Sequence, residues 1–163
     1  MSLSNQNHYS YINNNTVPIV FIHGVGLDQK MWAPQINYFR DYSTITYDLL
    51  GHGKTPFKKE EIKMEDYVDQ LLSLTEFLKI DKFHLVGFSI GSLIALNFAA
   101  NFQKKLNSLT LIATTYKRNE KQRQEVIDRV NLAKLNKPIS KLALKRWFND
   151  EYLKNNQNIY HEF

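Results

Sequence analysis

The chain has 163 residues, 43% apolar and 23% charged, the balance of a globular domain long enough to bury a core. No apolar run approaches the roughly 18 residues needed to cross a bilayer, and the polar opening MSLSNQNHYSYINNN lacks the basic and apolar regions of a secretory leader, so a cytoplasmic location is expected. The absence of cysteine excludes disulfides, thiolate metal sites and a cysteine nucleophile, and the net charge of +5 falls wholly within residues 117–163, scattered among acids and apolar positions as on a solvated helical surface, so neither nucleic acid nor membrane is expected as a partner.

In chain order, HYSYI (8–12) alternates weakly and predicts an edge strand, and NNNT a turn. The run VPIVFIH (17–23), led by a proline, reads as a strand. After GVG, Trp32, Ile36 and Phe39 recur at helical spacing. STITYD (43–48) predicts a strand and LLGHGKTP a loop. Over Met64–Lys79 the positions Val68, Leu71, Leu72, Thr75 and Leu78 mark one helix face. KFHLVGF (82–88) predicts a strand, residues 90–103 a helix that is apolar almost all round, and SLTLIAT (108–114) a further strand. Strands alternating with helices argue a mostly parallel sheet with crossover helices over residues 1–116. Residues 117–163 differ: Val126, Ile127, Val130 and Ala133, then Leu142, Leu144, Trp147 and Phe148, sit at helical spacing and no strand follows.

The chemistry centres on Gly87-Phe88-Ser89-Ile90-Gly91, placed where a strand meets a helix. A serine hydroxyl is a poor nucleophile until a base takes its proton and the backbone presents it. A sharp strand-to-helix turn does the presenting, and glycines two residues before and after remove side chains that would collide. The same turn aims the Ile90 N–H, at a helix N-terminus, toward the reacting centre, where it can stabilise an oxyanion. A second oxyanion donor is expected from the loop after an earlier strand, and HGVG supplies it: Val25 offers the N–H, with His23 and Gly24 shaping the loop and Gly26 keeping its backbone accessible. The alternative reading makes Ser89 an N-cap and Gly91 a close-packing glycine, with Gly91, Ala95 and Ala99 as a small-residue row. GVGLDQ lacks the third glycine of a dinucleotide fingerprint, no lysine follows a glycine-rich loop as in a nucleotide-phosphate site, and the histidines suggest no metal site. His8 is expected in a polar tail, His84 within a strand, and Asp48 as a loop organiser.

Four blocks, HGVGLDQKMWAPQI (23–36), YDLLGHGKTP (47–56), MEDYVDQLLSLTEFLKIDKFHLVGFSIGSLIALNFAANF (64–102) and LTLIATT (109–115), stand in the order and spacing of the α/β-hydrolase superfamily, which the chain resembles over residues 17–116. Among its branches the chain resembles the 3-oxoadipate enol-lactonases, biotin-pathway carboxylesterases and cofactor-free haloperoxidases. The resemblance implies a serine hydrolase acting on a carboxylic ester, lactone or thioester, without metal or organic cofactor. Related dehalogenases and epoxide hydrolases use aspartate at the elbow, where this chain has Ser89. Trp32 and Trp147 are candidate pocket-lining residues.

In this fold the acid and histidine follow the serine. After Ser89 the sequence offers Asp150 and His161, both in the helix-rich segment rather than on loops after further strands. The expectation is therefore an N-terminal portion of the fold: about five strands of the family's eight, a first strand missing before HYSYI, residues 117–163 beginning a helical cap, and the base outside this chain. Self-association through an uncovered sheet edge or the cap helices is expected to follow. The competing reading is a non-catalytic module that binds a ligand or partner, and a third is completion of the sheet by a second chain.

Overall fold

A computed structural model describes residues 7–57, 61–135 and 140–157. The chain divides into two compact units, Met1–Thr115 and Tyr116–Phe163.

The first unit is a five-stranded sheet of β1 (Tyr9–Ile12), β2 (Ile19–Ile22), β3 (Thr44–Tyr47), β4 (Phe83–Phe88) and β5 (Leu106–Ile112). Its order is β1-β3-β2-β4-β5, with β1 antiparallel on β3 and every other pairing parallel. Successive strand residues point to opposite faces, and the burial follows that rule. Val20, Ile22, Ile45, Tyr47, Phe83 and Leu85 face α2 (Met64–Phe77) and α3 (Ile90–Phe102) and form the main core with Leu71, Leu74, Ile94 and Phe98. Phe21 points the other way, against Trp32 and Phe39. A 3₁₀ turn, Gln29–Trp32, and the short α1 (Ala33–Tyr38) cover that side.

The strands begin and end within two residues of the sequence expectation. α2 differs more. Its buried face holds Tyr67, Gln70 and Leu74 beside Val68, Leu71 and Thr75, whereas Leu72 and Leu78 are only half-buried. It also stops at Phe77, because Lys79 takes φ 57°. The Lys79 N–H then donates to Glu76 O at 3.0 Å and the Ile80 N–H to Thr75 O at 2.8 Å, closing the last carbonyls as a glycine would.

The second unit contains α4 (Glu120–Lys134), α5 (Ser140–Trp147) and α6 (Asp150–Asn155). Among its described residues Leu144 and Leu153 are buried, with Trp147 and Phe148 packed on them and Phe148 stacked on Tyr152 at 4.7 Å. Among the described residues no helix is long and apolar enough to cross a membrane.

Candidate active site

β4 ends at Phe88 and α3 begins at Ile90, so Ser89 alone makes the turn between them. It takes φ 54° and ψ −115°, outside the regions that L-residues ordinarily occupy. A conformation of that kind costs about 1–3 kcal/mol and persists only where its surroundings enforce it. Here the Ser89 N–H donates to Ile112 O at 3.0 Å, and the Ser89 carbonyl accepts from Ser92 N at 3.0 Å and Ser92 Oγ at 2.5 Å. Its own hydroxyl makes no capping hydrogen bond, which sets aside the reading of Ser89 as an ordinary N-cap.

The flanking glycines are required by space. A Cβ on Gly87 would overlap the Gly91 carbonyl and lie 2.8 Å from Ser92 Cα. A Cβ on Gly91 would sit 2.5 Å from Ile22 O and 2.7 Å from His23 O. The start of α3 is thus pressed onto the end of β2. β2 and β4 are neighbours, with Ile22 opposite Gly87, so their following loops leave the sheet side by side. Gly24 completes the contact, since its missing side chain leaves room for the Phe88 ring, 2.9 Å from where a Cβ would stand.

Beyond Gly24 the chain makes a tight turn closed by the Leu27 N–H on Gly24 O at 3.3 Å, with Gly26 at φ 75°. Val25 lies at its tip, 59% exposed. Ile90 is the first residue of α3, so its N–H is one of the donors a helix leaves without an internal acceptor. The structure therefore brings Ser89, Ile90, Gly91, Gly87, Gly24 and His23 to the carboxyl ends of two adjacent strands, with Val25 on the loop that follows β2.

His23 is fully buried. Its Nε2 accepts from the Leu49 N–H at 2.9 Å and its Nδ1 lies 2.8 Å from Gly24 O. Burial lowers its pKa, countered by the Gly24 hydrogen bond and deepened by His52, whose ring centre is 5.3 Å away. The loop after β3 is organised by Asp48, whose carboxylate accepts from Gln29 N at 2.9 Å and Lys54 N at 2.8 Å and lies 2.8 Å from His8 Nδ1. Desolvation pushes the Asp48 pKa up, but these hydrogen bonds and His8 outweigh it and the net shift is downward. His8 is therefore not part of a free polar tail: the antiparallel register that sets Tyr9 opposite Tyr47 brings it to Asp48. Gln70, on the buried face of α2, was not foreseen; its Oε1 accepts from Leu50 N at 3.1 Å and its Nε2 donates to Asp48 O at 2.9 Å.

Trp32 is buried against Phe21, ring centres 5.0 Å apart, and so sits in core packing rather than on an open wall. Trp147 packs within the second unit. Asp150 is exposed at the start of α6, and His161 lies outside the described residues. Among the described residues no group of three His, Asp or Glu is arranged to hold a metal.

Residues 17–158 match the family of the alpha/beta hydrolase fold. The chain belongs to the α/β-hydrolase family. It is 32% identical over 132 residues to an (E)-2-((N-methylformamido)methylene)succinate hydrolase of Acinetobacter baylyi, covering 80% of this chain and 50% of that protein. It is 29% identical over 150 residues to 3-oxoadipate enol-lactonase 1 of the same organism, covering 89% and 54%. The crystal structure of the enol-lactonase from Burkholderia xenovorans LB400 superposes with a TM-score of 0.85 over 94% of this chain and 60% of that one, at 24% identity, a likeness of fold. This α/β-hydrolase chain thus spans about half the length of the curated relatives it matches.

Proposed function

We propose that this α/β-hydrolase chain carries the nucleophile and the oxyanion donors of a serine hydrolase acting on a carboxylic ester, lactone or thioester. Ser89 Oγ adds to the substrate carbonyl carbon and gives its proton to a histidine outside the described residues. The carbonyl π electrons move onto oxygen, where the Val25 and Ile90 N–H groups meet the new charge. Collapse expels the alcohol, enol or thiol, which takes up the proton, and leaves an acyl group on Ser89. Water then repeats the sequence and releases the acid. Protein groups suffice for each step.

The backbone of Ser89 is the observation behind this reading: an unusual φ and ψ, a hydroxyl not used for capping, and a helix N-terminus directly after it. The names of the relatives make an enol-lactone of the 3-oxoadipate kind the first substrate to try. A fluorophosphonate probe applied to the full-length protein should label Ser89, located by peptide mass. Labelling that survives Ser89→Ala rejects the assignment.

A further inference from the structure

We propose that His23 is a positioning residue that fixes the direction of the Val25 N–H by gripping the peptide group joining Gly24 to Val25. The inference rests on the serine-hydrolase reading for its catalytic consequence, though its geometry is independent of that reading. The two neighbours of the imidazole leave one tautomer. Leu49 N–H can only donate, so Nε2 is the bare nitrogen that accepts at 2.9 Å. Gly24 O can only accept, so Nδ1 carries the hydrogen and donates at 2.8 Å. The Leu27 N–H donates to the same carbonyl at 3.3 Å.

A peptide group is planar, and there are no cis peptide bonds among the described residues. In a trans peptide the C=O and the following N–H point in opposite directions. Holding Gly24 O toward His23 therefore turns the Val25 N–H away from it. The Gly24–Val25 peptide lies in a loop whose tip is exposed, and besides His23 its carbonyl is held by the longer bond from the Leu27 N–H at 3.3 Å, so the shorter His23 bond is the stronger restraint on its direction. His23 is fully buried and anchored from behind by Leu49, on the loop after β3. It transfers the rigidity of that loop to the tip of the other.

Two substitutions separate the bonds. In His23→Asn the side-chain amide can reach the place of Nδ1 and still donate to Gly24 O, but the acceptor for Leu49 is lost. In His23→Gln the side-chain oxygen reaches the place of Nε2 and still accepts from Leu49, but the grip on Gly24 is lost. A purely structural histidine suffers comparably from either change. A positioning histidine suffers asymmetrically. In the full-length protein, fluorophosphonate labelling of Ser89 is expected to slow about 100-fold in His23→Gln and to be largely rescued in His23→Asn, the loss being of the size seen when one oxyanion donor is removed. Equal slowing in the two variants overturns the proposal. A second measurement needs no reaction. Nitrogen-15 NMR of the wild type should show His23 protonated at Nδ1 and bare at Nε2, and the Val25 amide resonance should move in His23→Gln and stay near its place in His23→Asn. The opposite tautomer, or a Val25 resonance unmoved by the Gln variant, also overturns it. If the wild type does not label at all, the serine-hydrolase reading falls, and the NMR pattern alone decides the positioning role.

Discussion

In the first unit, Val20, Ile22, Ile45, Leu71, Leu74, Phe83, Leu85, Ile94 and Phe98 are sealed from solvent by helices and strands of that same unit. In the second, Leu144 and Leu153 are the ones buried among the described residues, while Ile127 and Val130 on α4 stay 49% and 47% exposed. Both segments show apolar residues at helical spacing, so periodicity alone does not distinguish them. What differs is whether another element presents a matching face. A sheet offers a wide apolar surface to each helix that crosses it, whereas the strongly charged sequences of α4, α5 and α6 offer one another little apolar surface. The strained elbow at Ser89 belongs to the unit with the deep core, as it must: a backbone held off its preferred conformation needs packing that can enforce it.

The sharpest way to break this contrast is to add one methyl group at the elbow. In Gly87→Ala the new Cβ overlaps the Gly91 carbonyl, and Gly91 is itself pinned against the Ile22 and His23 carbonyls. Neither strand nor helix can retreat, so urea denaturation should show a loss of about 3 kcal/mol or more. A loss under about 1 kcal/mol would mean that the turn is looser than its geometry. A core truncation tests the contrast from both sides. Leu71→Ala should cost the first unit about 2–5 kcal/mol. Leu144→Ala should leave the midpoint of the first unit's transition, followed by Trp32 fluorescence in a Trp147→Phe background, unchanged. A comparable shift from both would join what the structure divides.

The parallel sheet, its helices and the elbow were legible because each is written in consecutive residues: apolar runs, helical spacing, and two glycines around one serine. The supports of the site were not. His23 meets Leu49, Asp48 meets Gln29 and His8, and Gln70 meets Leu50 and Asp48 across 19 to 40 positions of sequence. Gln70 was hidden because one polar residue on an apolar helix face looks like a break in the pattern, when it is there to satisfy the backbone of a buried loop. His8 was hidden because the partner of a weak edge strand cannot be read from the strand itself. Lys79 in a glycine-like conformation carries no sequence mark at all.

Acidity sharpens the comparison through His23, a buried histidine of the first unit. Burial holds its pKa below the ordinary 6.5. Below about pH 6.5 the unfolded chain takes up a proton there that the folded chain refuses, so stability falls as the pH drops through that value, until the lowered folded pKa is reached. The slope from this one group is at most about 1.4 kcal/mol per pH unit. Urea midpoints at pH 7.5 and 5.5 should therefore separate for the wild type, and the separation should narrow in His23→Asn. Asp48, whose pKa is lowered from 3.8, acts further down: its contribution is present above about that value and is lost as the pH falls through its lowered folded pKa.

The smallest effect concerns Ser89 itself. At φ 54° and ψ −115° a side chain is strained and a glycine is not. Ser89→Gly relieves strain of about 1–3 kcal/mol and loses about 0.5–1 kcal/mol to the greater freedom of glycine in the unfolded chain. The net gain should be about 1 kcal/mol, the difference of those two effects. Ser89→Ala keeps its Cβ and with it the strain, so it should not share the gain, although it deletes the same hydroxyl. The comparison between the two variants matters more than either value, since any stability the hydroxyl supplies cancels between them. If urea denaturation finds Ser89→Gly no more stable than Ser89→Ala, the elbow stores no strain, and the hydroxyl is presented by an ordinary turn. If the glycine variant gains stability, the strained turn costs the fold energy that only a role for that hydroxyl offsets.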